Sequence, residues 1–150
     1  KRYLDDPEET KKVLKRHSDG KIWLHTGDVG CMNKEGLVFF KSRLKRIIIS
    51  SGYNIYPQYV EKVIMSHPSV STCTVVGIPH PYKKQVPKAY IILRENFDDT
   101  EELRNDIKEY CKKSIVKYSI PAEYEYVKEL PKTLVGKVAF TKLGGCNGKK

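Results

Sequence analysis

Cysteine, long apolar runs and dense runs of charge are all scarce in this 150-residue sequence. The four cysteines, Cys31, Cys73, Cys111 and Cys146, lie far apart with no Cys-x-x-Cys pair, which argues against a zinc knuckle or redox dithiol and leaves reduced thiols. His17, His25, His67 and His80 show no metal-ligand spacing and read as surface or turn residues, so no metal site is expected in the chain. No stretch approaches the roughly 20 apolar residues of a membrane-spanning helix. The opening Lys-Arg-Tyr-Leu-Asp-Asp-Pro-Glu-Glu has no signal-peptide apolar segment, so a soluble, cytoplasmic chain is expected. The formal charge of +10 fits a nucleic-acid surface, or a face that meets polyphosphate or an acidic partner domain. No run of Lys and Arg exceeds two and no aromatics interleave with one, which disfavours a dedicated nucleic-acid tract.

What is present is enough apolar residue, 39%, for one ordinary core. Asp6-Pro7-Glu8-Glu9 predicts a helix start, and His17-Ser18-Asp19-Gly20 its end. Lys21 to His25 reads as a strand that ends on Thr26-Gly27-Asp28. The turn Asn33-Lys34-Glu35-Gly36 then returns the chain through Leu37 to Lys41 as a partner strand, making a two-stranded platform. Ser42, Arg43, Leu44, Lys45 and Arg46 form a short basic connector. Beyond it the expected order is a strand from Ile47 to Ile49, a break at Ser50-Ser51-Gly52, and a helix from Pro57 to Ser66 capped by Asn54, with Val60, Val63 and Ile64 inward.

Strands come next at Val70 to Val76 and Lys88 to Leu93, then a helix from Thr100 to Lys117 and a strand from Glu123 to Val127. Asp99 with Glu102 resembles a capping pair for that helix, and Leu103, Ile107, Tyr110, Cys111 and Ile115 share one face. The segments 77–81 and 86–90 read as turns. Tyr118, Tyr124 and Tyr126 are expected to pack on strands. The fold class is α+β: a short hairpin platform and hinge, then a compact small mixed sheet flanked by helices. The glycine-rich tail, 144–150, is expected to be disordered.

Four motifs occur in order: Thr26-Gly27-Asp28; Ser42-Arg43-Leu44-Lys45; Gly52 through Glu61; and Pro131-Lys132-Thr133-Leu134-Val135-Gly136-Lys137. Together they resemble the C-terminal part of the adenylate-forming enzymes: the acyl-CoA synthetases, the adenylation domains of peptide synthetases and the luciferases. The Asn54-Ile55-Tyr56-Pro57 wording is closest to the acid-CoA ligases. Ser42 stands where the family usually has glycine, and His80 where it usually has an acid.

The resemblance implies that ATP, with magnesium bound outside this chain, activates a carboxylic acid, a fatty acid in the reading adopted, to an acyl-adenylate that is passed to coenzyme A. It implies nucleotide contacts by Asp28 and Arg43, a hinge at Lys45, passage of the coenzyme A arm past Gly52, and catalysis by Lys137. Residue types agree. A carboxylate accepts both hydroxyls of a ribose, a guanidinium fork suits paired oxygens, and an ammonium stabilises charge that builds as pyrophosphate leaves. Gly136-Lys137 is not a phosphate loop, because the Gly-x-x-x-x-Gly-Lys-(Ser/Thr) frame is missing. Glu61 reads equally as an exposed acid near a helix start.

The expected organisation is the end of a large N-terminal domain over 1–41, a hinge over 42–46 and a mobile C-terminal domain over 47–143. The chain then reads as a fragment, inactive alone, whose main partner is its own N-terminal domain. An adenylation domain serving a carrier protein shares most of these motifs, and a non-catalytic basic binding module is the alternative of a different class.

Overall fold

The computed structural model describes residues 2–144. The chain divides into two compact units, Lys1–Leu44 and Lys45–Lys150.

The first unit begins with α1 (Pro7–Val13). Asp6 caps it by accepting the Glu9 N–H at 2.8 Å, and Pro7 sits where a missing N–H costs nothing. The helix is shorter than its sequence pattern suggests. Leu14–Arg16 is a strand, β1, paired antiparallel with β2 (Ile22–Leu24) across the His17–Gly20 turn. A second hairpin joins β3 (Asp28–Met32) to β4 (Val38–Arg43). The platform is therefore two hairpins, and the partner of β4 is β3. Ser42 and Arg43, expected in the connector, complete β4, and the chain then makes a single 3-10 turn at Leu44–Arg46.

The second unit is built on a five-stranded mixed sheet of order β6-β5-β8-β7, with β9 also on β8. β5 (Ile48–Ser50) and β6 (Tyr53–Ile55) form a hairpin whose two loop residues, Ser51 and Gly52, both have positive φ, 49° and 84°. That is the backbone of the tight turn whose twist matches a hairpin, and Gly52 adopts it without Cβ strain. Asn54 lies in β6 and does not cap. The N-cap of α2 (Pro57–Met65) is Tyr56, with no side-chain bond, and Pro57 opens the helix. Val60 and Ile64 are fully buried from its inner face, each contributing about 1.5–3 kcal/mol of apolar burial.

β7 (Val70–His80) and β8 (Lys84–Leu93) make one long hairpin, so the segments 77–81 and 86–90, expected as turns, run largely as strand. Proline is tolerated in β8 because Pro87 falls where the neighbour changes: Lys84 pairs with Ser50 of β5, and Lys88 begins the pairing with β9. Its missing donor faces that gap. α3 (Glu101–Ser114) then crosses over to β9 (Glu123–Tyr126), which runs parallel to β8 as a helical crossover permits. Thr100 caps α3 by accepting the Leu103 N–H at 3.2 Å. Asp99, expected in that role, instead holds Arg104 through two bonds of 2.6 Å.

Both faces of the sheet are covered, which is why β7 and β8 read as nearly continuous apolar runs. Val75, Ala89 and Ile91 pack with Val60 and Ile64 of α2 and Ile107 and Cys111 of α3. Val76 and Tyr90 point the other way, against Leu130, Val138 and Phe140 of the segment after β9. His67, expected at the surface, is buried between α2 and α3: Nδ1 lies 2.8 Å from Ser69 Oγ and Nε2 lies 3.1 Å from Asp106. Such long-range packing leaves no trace in local spacing. The tail expectation begins at Gly144, which ends the last 3-10 turn (Phe140–Leu143) with φ 80°; residues 145–150 lie outside the described residues.

Candidate functional site

In the first unit, β3 and β4 set Asp28 directly opposite Arg43, and the two form an ion pair with Arg43 Nε 2.7 Å from Asp28 Oδ1. The Asp28 N–H donates to Thr26 Oγ1 at 3.1 Å, and Gly27 passes its carbonyl to the Leu44 N–H at 2.7 Å. Thr26-Gly27-Asp28 is thus a shaped turn that leads into a strand, with the carboxylate partly exposed. The two residues expected to meet a nucleotide stand together. Ser42, beside Arg43, is fully buried.

In the second unit the Ser51–Gly52 turn borders a groove of about 470 Å³. Ser50, Ser51, Tyr53, Lys83, Lys117 and Tyr118 are among its walls. Tyr53 and Tyr118 stack at 4.6 Å between centroids and 14° between planes, so Tyr118 packs on a ring of the β5–β6 hairpin. A Cβ built on Gly52 meets no protein atom within 4 Å. The space over this glycine is open to a thin ligand. Lys83 and Lys117 bring two cations to one groove, a feature that sequence spacing hides because the turn after β7 and the loop after α3 supply them.

Lys137 sits on a small closed loop. Lys132 and Val138 bridge its base, Thr133 N–H donates to the Lys137 carbonyl at 2.7 Å, and Gly136 N–H donates to the Thr133 carbonyl at 2.9 Å. The Thr133 hydroxyl accepts the Lys137 N–H at 3.2 Å, and Gly136 turns the chain at φ 78°. Lys137 is exposed, as are Leu134 and Val135 at the tip, while Leu130 and Val138 anchor the base in the core. An ammonium on a loop pinned at its foot can reach a substrate at a distance from the sheet.

Lys45 is exposed at the boundary between the units, whereas the next residue is held firmly. Arg46 donates to Glu61 at 2.5 Å and its guanidinium lies 4.0 Å from the centroid of Phe140. Glu61 also accepts the Val75 N–H at 2.8 Å. Read from sequence as equally an exposed acid, Glu61 is buried, and it joins the residue after Lys45 to α2 and β7. The only sequence signal for this was a Glu closing the motif that opens at Gly52.

Burial pushes the Cys73 and Cys111 thiols up, which keeps them protonated and unreactive in the core. Among the described residues no group of three or more His, Cys, Asp or Glu side chains is placed to hold a metal ion. Among the described residues no helix is long and apolar enough to cross a membrane.

Residues 59–137 match the family described as AMP-binding enzyme C-terminal domain. The chain is 41% identical over 144 residues to a long-chain-fatty-acid–CoA ligase of Bacillus subtilis, an alignment that takes in 95% of this chain and 24% of that protein. It is similar in structure to an ATP-bound RpMatB-BxBclM chimera, with TM-score 0.84, 31% identity, and 95% and 28% of the two chains covered. It is also similar to o-succinylbenzoate CoA synthetase from Bacillus subtilis in complex with its acyl-adenylate intermediate, with TM-score 0.81, 31% identity, and 100% and 29% covered. The chain thus spans about a quarter of the length of the curated relatives it matches.

Proposed function

This chain belongs to the AMP-binding enzyme C-terminal domain family, and on that premise we propose that it is the carboxyl-terminal part of an AMP-forming acid-CoA ligase acting on a fatty acid. In the first step a carboxylate oxygen attacks the α-phosphorus of ATP, and pyrophosphate leaves. In the second the sulfur of coenzyme A attacks the acyl carbon, the bond to AMP breaks, and the thiol proton passes to solvent. ATP-bound and acyl-adenylate-bound relatives support the first step, and the ligase and synthetase relatives support the second.

The unit Lys1–Leu44 is the end of a large N-terminal domain, which supplies the magnesium site and the acyl pocket. Asp28, partly exposed, accepts the ribose hydroxyls, and Arg43 adds a donor fork beside it. Lys137 brings its ammonium to the carboxylate and α-phosphate in the first step. The unit beyond Lys45 then turns, and the Ser51–Gly52 turn admits the pantetheine arm.

The observation that carries the choice of coenzyme A is the groove beside Gly52 with Lys83 and Lys117 on its walls. A carrier-bound arm has a single phosphodiester, whereas coenzyme A has in its place a diphosphate, and carries a further phosphate, for two cations to meet. The test is Lys137→Ala in the full-length protein, with pyrophosphate release and transfer from preformed acyl-adenylate measured separately. Adenylation should fall about 100-fold or more while transfer changes far less. Equal losses overturn the assignment, and transfer to a tethered arm but not to free coenzyme A overturns the choice of acceptor.

A further inference from the structure

Two turns meet beside the groove, and one imidazole organises the pair. Pro81, Tyr82 and Lys83 join β7 to β8, and the N–H groups of Tyr82 and Lys83 both donate to His80 Nδ1, at 3.3 and 3.2 Å. A ring nitrogen that receives two N–H donors carries a lone pair, so the ring proton is on Nε2. The turn needs this support, because Lys84 at its exit has φ 68°, a conformation that side-chain-bearing residues seldom hold. Its other end reaches the neighbouring hairpin. The Lys83 carbonyl accepts the Ser51 N–H at 3.0 Å, and Ser50 pairs with Lys84. Ser51, at φ 49°, is itself strained and is followed directly by Gly52.

We propose that His80 is a positioning residue for the Ser51–Gly52 turn: its Nδ1 fixes the Lys83 N–H, and the carbonyl of the same residue fixes Ser51 and so the opening that the thiol arm passes. The inference rests on the reading of that turn as the coenzyme A entrance. The same residue carries its side chain to the wall of the groove, so one acceptor sets both a backbone turn and a cation. An aspartate at this position offers a carboxylate to the same two N–H groups, as Asx turns do, and is the conservative replacement.

The test compares His80→Ala with His80→Asp and His80→Asn. In the 150-residue chain, amide hydrogen exchange at Ser51, Tyr82 and Lys83 should quicken about tenfold in the alanine variant, the equivalent of one lost hydrogen bond, and return in the other two. In the full-length protein, transfer from preformed acyl-adenylate to coenzyme A should slow about tenfold in the alanine variant with adenylation unchanged, and aspartate should restore it. Equal slowing of both steps, or unaltered transfer in a folded alanine variant, overturns the proposal; so does failure of both aspartate and asparagine to restore transfer while they restore the amides. Gly52→Val serves as the separate control. If it leaves transfer intact, the reading of the entrance falls; if it blocks transfer and His80→Ala does not, only the role of His80 falls.

Discussion

Arg46 and Glu61, fifteen positions apart, meet at 2.5 Å with both side chains largely shielded from solvent. Since the same Glu61 oxygen accepts the Val75 N–H, removing it leaves a guanidinium and a backbone donor unpaired together. Glu61→Ala should cost roughly 3–5 kcal/mol of stability, read as a lowered urea midpoint at unchanged slope. A loss under about 1 kcal/mol would mean that the pair behaves as a surface contact.

Asp28 predicts the opposite division of effects. Its bond to Arg43 is exposed, so Asp28→Ala should change stability by no more than about 1 kcal/mol. Calorimetric titration of the full-length protein with AMP should nevertheless show affinity reduced about tenfold or more, the worth of a charged hydrogen bond to a ribose hydroxyl. Unchanged affinity would remove Asp28 from the nucleotide site.

Thr133→Val keeps the shape of the side chain and deletes the acceptor of the Lys137 N–H. The loop is exposed, so folding should weaken by only about 1 kcal/mol. Adenylation should suffer more than transfer, because the loop then holds its ammonium less well. Two steps slowed in equal measure would show that Thr133 supports the fold alone.

Tyr126 has its hydroxyl buried with no hydrogen-bond partner among the described residues, and burial pushes that phenol up to about 12 from an ordinary value of 10. A proton held more tightly in the folded state costs stability at high pH: the contribution is intact below pH 10 and is lost as pH climbs toward 12, while the unfolded chain ionises. Tyr126→Phe should therefore be neutral or slightly stabilising at pH 7 and should flatten the fall in melting temperature above pH 10. The Arg104 guanidinium, 4.9 Å from the ring centroid, keeps an aromatic face in either case. A clear loss of stability at neutral pH would show that the hydroxyl has a partner.

The clearest sequence readings were those whose physics is local. The Asp6 cap, Pro57 at a helix start and the buried face of α3 were all legible, since each depends on neighbours within one or two turns. The four motifs placed the family and the candidate residues, and the pairing of Asp28 with Arg43 emerged once β3 and β4 came together. What escaped depends on distant chain. Leu14–Arg16 becomes strand because Ile22–Leu24 offers a partner, and Asn54 lies in a strand because Ile49 pairs with it. Pro79 and Pro87, ordinary turn signals, are carried inside a hairpin because Pro87 falls at the gap between β5 and β9 and Pro79 lies on the edge strand β7. His67, His80 and Glu61 each looked dispensable because their partners, Asp106, the 81–83 turn and Arg46, are set by the fold rather than by spacing.

The parallel pairing of β8 with β9 also imposes an order of assembly. β7 and β8 are joined by a tight turn and can zip as soon as both have formed, but β9 finds its place only after α3 has crossed over and docked. The segment that carries Lys137 packs on Val76 and Tyr90 and is synthesised after β9. On a chain leaving the ribosome, the loop expected to perform chemistry thus acquires a surface on which to settle only after β7, β8, α3 and β9 have come together, and activity becomes a report that these have folded.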